Sequence, residues 1–187
     1  QKAVRMVAWN LNNSQVAIVG GARTPMCKVG TDFKDVHVTE LARIAMQEAM
    51  YRSGVAASAV DQVVMGNVVM PADATNPARV AALYAGVPHN VPGMTVQRNC
   101  ASGMEAVAQA ATLVRTGQAR RVLAGGAESM STIPLLFPSE TLAPMTRLAK
   151  ARSLWDRAAA ITEFRLRHFK PVVGLELGLT DPSCDML

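Results

Sequence analysis

The stretch that decides the fold is Gln97-Arg98-Asn99-Cys100-Ala101-Ser102-Gly103-Met104-Glu105-Ala106. Ahead of it, Gly93-Met94-Thr95-Val96 is a short apolar, β-rich run bounded by Pro92, and it reads as a buried strand. Behind it, Met104, Val107, Ala108, Ala111 and Val114 recur at helical spacing up to Gly117, which predicts a helix with that apolar stripe. Cys100 thereby falls where a strand turns directly into a helix, with Asn99 as the expected N-cap. A thiol at that point meets unpaired backbone N–H groups and the positive end of the helix dipole, both of which favour the thiolate. Ala101, Ser102 and Gly103 leave room for a substrate to approach the sulfur. Two readings stay open on this evidence: a nucleophile, or a buried cysteine packing like a small hydrophobe.

A helix N-terminus favours a nearby anion by about 0.3–1 kcal/mol. That does not replace a proton acceptor, and a nucleophilic thiol normally works with a base such as His within hydrogen-bond reach. The chain offers His37, His89 and His168, and nothing in their local sequence brings any of them to Cys100.

Bulk properties narrow the classes. A chain of 187 residues that is 50% hydrophobic can bury a core and makes one or two domains. No apolar run is long enough to span a bilayer. Residues 1–14 start at Gln1 and lack a signal-peptide core, so they read as a ragged leading segment. Cys27, Cys100 and Cys184 are widely spaced and odd in number, which argues against a disulfide framework and for a reducing, cytoplasmic compartment. No C-x-x-C pair or His cluster points to a metal. The net charge of +5 is concentrated in Arg147, Lys150, Arg152, Arg157, Arg165, Arg167 and Lys170, with only Asp156 and Glu163 interspersed. Such a segment suits an anionic ligand, an acidic lipid surface or a solvated helix face. With 4% aromatic residues and no basic run interleaved with them, nucleic-acid binding is excluded.

Around the central stretch the chain alternates. Gln15–Gly21 reads as a strand, and the Gly20-Gly21-Ala22-Arg23-Thr24-Pro25 run after it lacks both dinucleotide-loop and P-loop spacing. A helix is predicted from Val38 to Arg52, capped by Thr39, with Leu41, Ile44, Ala45 and Ala49 as its apolar face and Gly54 as its stop. Asp61–Val69 is a second strand. Asn76-Pro77 opens the next helix in cap-then-proline order, ended by Gly86 and Pro88. Arg121–Ala127 is a fourth strand. This is an α/β pattern: a mostly parallel sheet with helices on both faces. Three segments are expected: 1–14, an α/β domain over 15–133, and a different texture over 134–187, where Pro134, Pro138 and Pro144 break the chain. There a basic helix is predicted over Ser153–Phe169, with Trp155, Ala159, Leu166 and Phe169 on one stripe, as a cover, lid or membrane-surface element.

With these residues in hand, the chain resembles the thiolases (acetyl-CoA acyltransferases). Asn99-Cys100-Ala101-Ser102-Gly103 resembles their nucleophile motif. Gly21-Ala22-Arg23-Thr24-Pro25, Asn76-Pro77-Ala78-Arg79 and Ala124-Gly125-Gly126-Ala127-Glu128-Ser129-Met130-Ser131 match in the same order. The last two stretches favour thiolases over the related ketoacyl synthases. The likeness is strong over residues 15–133 and looser over 134–187, which resemble the loop domain of the fatty-acid-oxidation branch.

The resemblance implies a mixed, mostly parallel sheet in each of two similar halves, with a loop domain inserted in the first half over coenzyme A. It implies that Cys100 attacks the keto carbon of a 3-ketoacyl-CoA, and that free CoA then takes the acyl group. The Cys100 backbone N–H would be an oxyanion donor. Arg147, Lys150 and Arg152 would contact the CoA phosphates. CoA would be a substrate rather than a resident cofactor, and the assembly a homodimer or tetramer, with a β-oxidation partner subunit also possible.

The family's remaining catalytic motifs, N-E-A-F, G-H-P and C-x-G, do not occur in this sequence. The chain is therefore expected to be the front part of such an enzyme and to turn over poorly alone. Cys27 and Cys184 match no catalytic motif. The competing reading is a non-catalytic module that associates with a partner subunit or a membrane through the basic Ser153–Phe169 helix.

Overall fold

The computed structural model describes residues 16–170 and the backbone of residues 172–173. They belong to two compact units that divide between Thr132 and Ile133. The expectations for residues 1–14, for Gln15 and for Cys184 lie outside the described residues.

The first unit is built on three parallel strands, β1 (Gln62–Gly66), β2 (Gly93–Val96) and β3 (Val122–Gly126). Their order is β2-β1-β3, with Val63 opposite Gly93 and Leu123, and Gly66 opposite Val96 and Gly126. Consecutive residues of β1 are buried on opposite faces, since Val63, Val64 and Met65 are 0, 0 and 2% exposed. A strand covered on both sides reads as a continuous apolar run, and burying each such side chain contributes about 1.5–3 kcal/mol. On one face, Val63 and Met65 pack with Ala42, Met46 and Met50 of α1 (Val38–Ser53) and with Ala78, Ala81 and Ala82 of α2 (Pro77–Tyr84). On the other face, Val64 and Val96 pack with Ala106 of α3 (Ser102–Arg115). The parallel sheet with helices on both faces is as expected.

The caps explain the boundaries. Asn76 accepts the Arg79 N–H at 3.2 Å through its side chain, and Pro77 holds the first helical position of α2. The same Asn76 donates to the Gly93 carbonyl at 3.0 Å, and Thr95 accepts the Ala78 N–H at 3.1 Å, so the start of α2 is tied to β2. Arg79 donates to the carbonyls of Val91 and His89, closing the turn into β2. The Asn-Pro-Ala-Arg motif is thus a splice between helix and strand. At α1 the cap is His37, whose ring accepts the Thr39 N–H, and not Thr39, which is buried. Gly54 at φ +67 closes that helix in the left-handed region that favours glycine.

Several expectations are corrected. Among the described residues of the expected first strand only Val16 makes a β-bridge and 17–21 are not extended into a ladder: Ile18 and Val19 are 60 and 61% exposed, and Gly20 lies against Ser53 at the end of α1. An apolar run makes a buried strand only where a ladder partner and a packing face meet it. In α1 the buried residues are Val38, Thr39, Ala42, Met46 and Met50, while Ile44 points outward. In α3 they are Ser102, Ala106 and Ala110, and the predicted Met104–Val107 stripe faces away, with Met104 73% exposed. In α3 the small side chains let the helix approach the sheet closely, whereas α1 buries Met46 and Met50 beside Ala42. Among the described residues no helix is long and apolar enough to cross a membrane.

Gly66 and Gly126 set how close α3 can come. A Cβ on Gly66 would overlap the Ser102 carbonyl and sit 2.6 Å from the Gly103 nitrogen, and one on Gly126 would lie 3.0 Å from Gly103 Cα. At neighbouring Gly125 an added Cβ meets nothing.

The second unit holds β4 (Leu135–Leu136) paired antiparallel with β5 (Val172–Val173), and the helices α4 (Leu142–Lys150) and α5 (Leu154–Thr162). The sequence reading missed α4 because of Pro144, which occupies the first turn, where the missing N–H costs nothing. The predicted helix over Ser153–Phe169 stops at Thr162. Phe164 stacks on Phe169 with ring centroids 5.5 Å apart and meets His168 edge-on, folding the chain back into a short 3₁₀ turn at Leu166–Phe169. The stripe does not form: Trp155 and Leu166 are 86 and 93% exposed, and Ala160 is the buried residue of α5.

Gly66→Ala is expected to destabilise the first unit by at least about 2 kcal/mol through overpacking. Gly125→Ala should change stability by less than about 1 kcal/mol in either direction. Urea unfolding of the two variants checks the contrast.

Candidate active site

Cys100 stands on a one-turn connection between β2 and α3, at the carboxyl end of the parallel sheet, where open α/β sheets place their ligands. It is exposed, which removes the reading as a core-packing cysteine. Asn99, before it, has φ +47, the left-handed region; among the described residues no other non-glycine residue has a positive φ. Asn tolerates that conformation better than most side chains, and backbone held there tends to mark a functional turn.

The expected cap is corrected accordingly. The N-cap of α3 is Ala101, without a side-chain capping bond, and Asn99 is spent on making the turn. Cys100 therefore stands just before the helix rather than in its first turn. The turn is closed by Ala101 N–H to the Arg98 carbonyl and Ser102 N–H to the Asn99 carbonyl, both at 3.0 Å. The buried Ser102 hydroxyl accepts the Arg98 N–H at 2.8 Å and donates to the Asn99 carbonyl at 2.6 Å.

Groups that the sequence reading did not single out surround this turn. The Glu128 carboxylate, directly after β3, accepts the Val68 N–H at 2.7 Å and the Asn67 side-chain amide at 3.1 Å. Val68 in turn accepts from the Gln97 side chain at 2.8 Å, so the carboxylate, the loop after β1 and the approach to Cys100 form one chain of hydrogen bonds. Asn67 is 1% exposed, and its Oδ1 has no hydrogen-bond partner among the described residues. Ser129 donates to the Val36 carbonyl, and Ser131 accepts the Gly30 N–H, so the Glu-Ser-Met-Ser stretch ties the loop ahead of α1 to the end of β3. The signal in the sequence is positional only: Glu128 follows the apolar Arg121–Ala127 run, while the backbone N–H it accepts belongs to the distant Val68.

Arg98 pairs with Glu105 in the first turn of α3 at 2.5 Å. The Gln109 side-chain hydrogen bond, followed by the Arg98 guanidinium, holds the Glu105 carboxyl below the ordinary 4.5 of a glutamate. Of the histidines, His37 bonds Thr39 and Asp73, the His89 carbonyl receives Arg79, and His168 lies in the second unit. Cys27 is half-buried in the loop ahead of α1. Among the described residues no three metal-ligating side chains cluster.

Of the three cations expected at the CoA phosphates, Arg147 and Lys150 line an open groove of about 810 Å³ between α4 and α5, and Arg152 is not among its lining residues. Asp156 and Glu163 share that groove, and Glu163 is ion-paired with Arg147. Arg167 is likewise paired with Glu140, so the basic segment is partly neutralised within its own unit.

A model of the thiolase N-terminal domain matches residues 16–157. The chain is 36% identical over 160 residues to the bovine (Bos taurus) mitochondrial trifunctional enzyme subunit beta, covering 86% of this chain and 34% of that protein. It is 44% identical over 126 residues to an acetyl-CoA acetyltransferase of Schizosaccharomyces pombe, covering 67 and 32%. Among solved structures, an acetyl-CoA acetyltransferase of Bacillus anthracis superposes with a TM-score of 0.62 at 41% identity, covering 65% of this chain and 31% of that one. A thiolase of Ascaris suum in complex with coenzyme A superposes with a TM-score of 0.67 at 24% identity, covering 84 and 35%, a likeness of fold. The chain thus spans about a third of the length of these relatives.

A carboxyl held low by its partners contributes stability above its unfolded-state value and loses it as pH falls through the folded value. Glu105→Gln is therefore expected to lower stability at neutral pH and to match the wild type once acid has protonated Glu105. Unfolding curves across the acid range, for both proteins, check the convergence.

Proposed function

Since the chain belongs to the thiolase family, we propose that it is the nucleophile-bearing segment of an acyltransferase that cleaves 3-ketoacyl-CoA, or runs the reverse condensation, with Cys100 as the attacking group. The observation that carries this reading is an exposed thiol on a left-handed turn directly ahead of α3, at the carboxyl edge of a parallel sheet. In the thiolytic direction the Cys100 thiolate adds to the keto carbon, and the bond to the neighbouring carbon breaks. The departing two-carbon unit takes a proton and leaves as acetyl-CoA, and the acyl group stays on sulfur as a thioester. A CoA thiolate then displaces Cys100 and carries the acyl group away.

Each addition puts negative charge on a carbonyl oxygen, and a preorganised N–H aimed at that oxygen lowers the barrier. The Cys100 backbone N–H is our proposed donor for one of them. Arg147 and Lys150 are proposed as phosphate contacts, supported by the groove they share. Their competition with Asp156 and Glu163 makes them a weaker anion site than the seven-cation segment suggested. CoA and acyl-CoA enter as substrates.

Protonation of the departing carbon calls for an acid, and activation of the incoming CoA thiol for a base, beyond the sulfur. This chain by itself is therefore proposed to take an acyl group from a simple thioester such as acetyl-CoA and not to turn over. The outward apolar face of α3 supports association with further protein beside the nucleophile. A β-oxidation setting is supported by relatives named as trifunctional enzyme beta subunits. The cytoplasmic location rests on the cysteine pattern alone, and several relatives carry names that place them in mitochondria.

Exposure of the folded chain to acetyl-CoA or a 3-ketoacyl-CoA, followed by intact-mass analysis and peptide mapping, should place one acyl group on Cys100 and none on Cys27 or Cys184. A folded chain that takes no acyl group, or takes it elsewhere, would sink the assignment. In an enzyme carrying this segment, Cys100→Ser should reduce acyl transfer by at least ~10³-fold.

A further inference from the structure

We propose that Ser102 is a positioning residue for Cys100, an inference that rests on the acyl-transfer reading above. A serine at the first residue of a helix is ordinarily read as a cap, with its oxygen taking an N–H from within the helix. Ser102 reaches the other way. Its hydroxyl, on a residue only 3% exposed, accepts the Arg98 N–H at 2.8 Å and donates to the Asn99 carbonyl at 2.6 Å. These two bonds hold the Gln97–Arg98 and Asn99–Cys100 peptide units, one ahead of the turn and one at its far side, and so brace Asn99 at φ +47.

The clamp has a fixed anchor. The Ser102 backbone lies so close to Gly66 that a Cβ there would overlap it, so the hydroxyl is referenced to β1 rather than to a mobile loop. Cys100 lies between the two ends of this clamp. Its sulfur direction follows from the Asn99 turn, which two backbone bonds close and the Ser102 hydroxyl braces. Without the hydroxyl, the Arg98 N–H loses its acceptor and the Asn99 carbonyl loses one of its two donors, and the turn loosens about Asn99. Cys100 then swings away from the orientation in which its sulfur is presented. Misplacement of a reacting atom by about 1 Å can cost up to ~10²-fold in rate.

The test uses iodoacetamide on the full chain, with alkylation at Cys100 followed by peptide mapping and, in parallel, circular dichroism for the fold. Ser102→Ala is expected to slow Cys100 alkylation by about tenfold and to change its pH dependence, while the helical signal stays that of the wild type. Ser102→Thr, which keeps the hydroxyl, is expected to stay near the wild-type rate. Wild-type kinetics in Ser102→Ala, or equal loss in both variants, would overturn the proposal. Should Ser102→Ala not fold, amide exchange in the wild type decides: the Arg98 N–H must be protected, and exchange at the rate of an unstructured amide overturns the clamp. Iodoacetamide needs no CoA, so the two readings fail separately. Slowed alkylation in Ser102→Ala with no acyl adduct on the wild type would remove the acyl-transfer reading and leave the positioning role standing.

Discussion

The close approach of α3 to the carboxyl ends of β1 and β3 is the constraint on which the rest depends. It exists because Gly66, Gly103 and Gly126 present no side chains where the helix start meets the sheet. Ala127 N–H then reaches the Gly66 carbonyl at 3.0 Å, and the two strands and the helix converge at one point. A helix seated this deeply cannot be entered from β2 by a gradual curve. The chain has to turn within a few residues, and that requirement falls on Asn99. The sharp turn in turn puts Cys100 outside, on a rigid base, with its neighbours Ala101 and Gly103 too small to cover it. Packing density at the glycines and exposure of the thiol are two sides of one geometric fact.

The architecture was legible because its signals are local. Asn76-Pro77 announces a helix start, Gly54 a helix end, and the unbroken Val63-Val64-Met65 run a strand buried on both sides. Which side of a helix turns inward is not local. In α3 both the alanine-bearing face and the face with Met104 and Val107 have helical spacing, and hydrophobicity favours the latter. The sheet chose the smaller side chains there, because depth of contact with a close-packed surface outweighs the size of any single side chain. In α1 it took Met46 and Met50 together with Ala42 and left Ile44 outside. The run at 16–21 shows the converse error: composition describes what a strand is made of, and pairing decides whether one forms.

At the site, Cys100 could be found from its chemistry, since a thiol between a strand and a helix is conspicuous. Its supports could not. The Ser102 hydroxyl and the Glu128 carboxylate act through backbone groups whose directions exist only after the turns are folded. Asn99 reads as a polar residue before a helix, for which capping is the commonest role. Its left-handed backbone is a different use of the same side chain's tolerance. In the second unit, the pairing of Arg147 with Glu163 and Arg167 with Glu140 shows why a net charge counted along the sequence overstates the charge offered to a ligand.

The strand order β2-β1-β3 carries a consequence for the sequence of events by which the molecule assembles. Among the described residues β1 is the first strand in sequence and the central one of its sheet, and its far edge stays open until Gln62 can meet Val122. Parallel pairings over such separations are entropically costly and tend to be late. Gly126, which caps the contact at Gly103, arrives only with that last pairing. One side of the seat beneath the nucleophile turn, at Gly66, is thus available from β1, and the other, at Gly126, comes only with the most distant pairing. A chain that stopped short of β3 would hold every residue of the turn and lack the Gly126 side of its support.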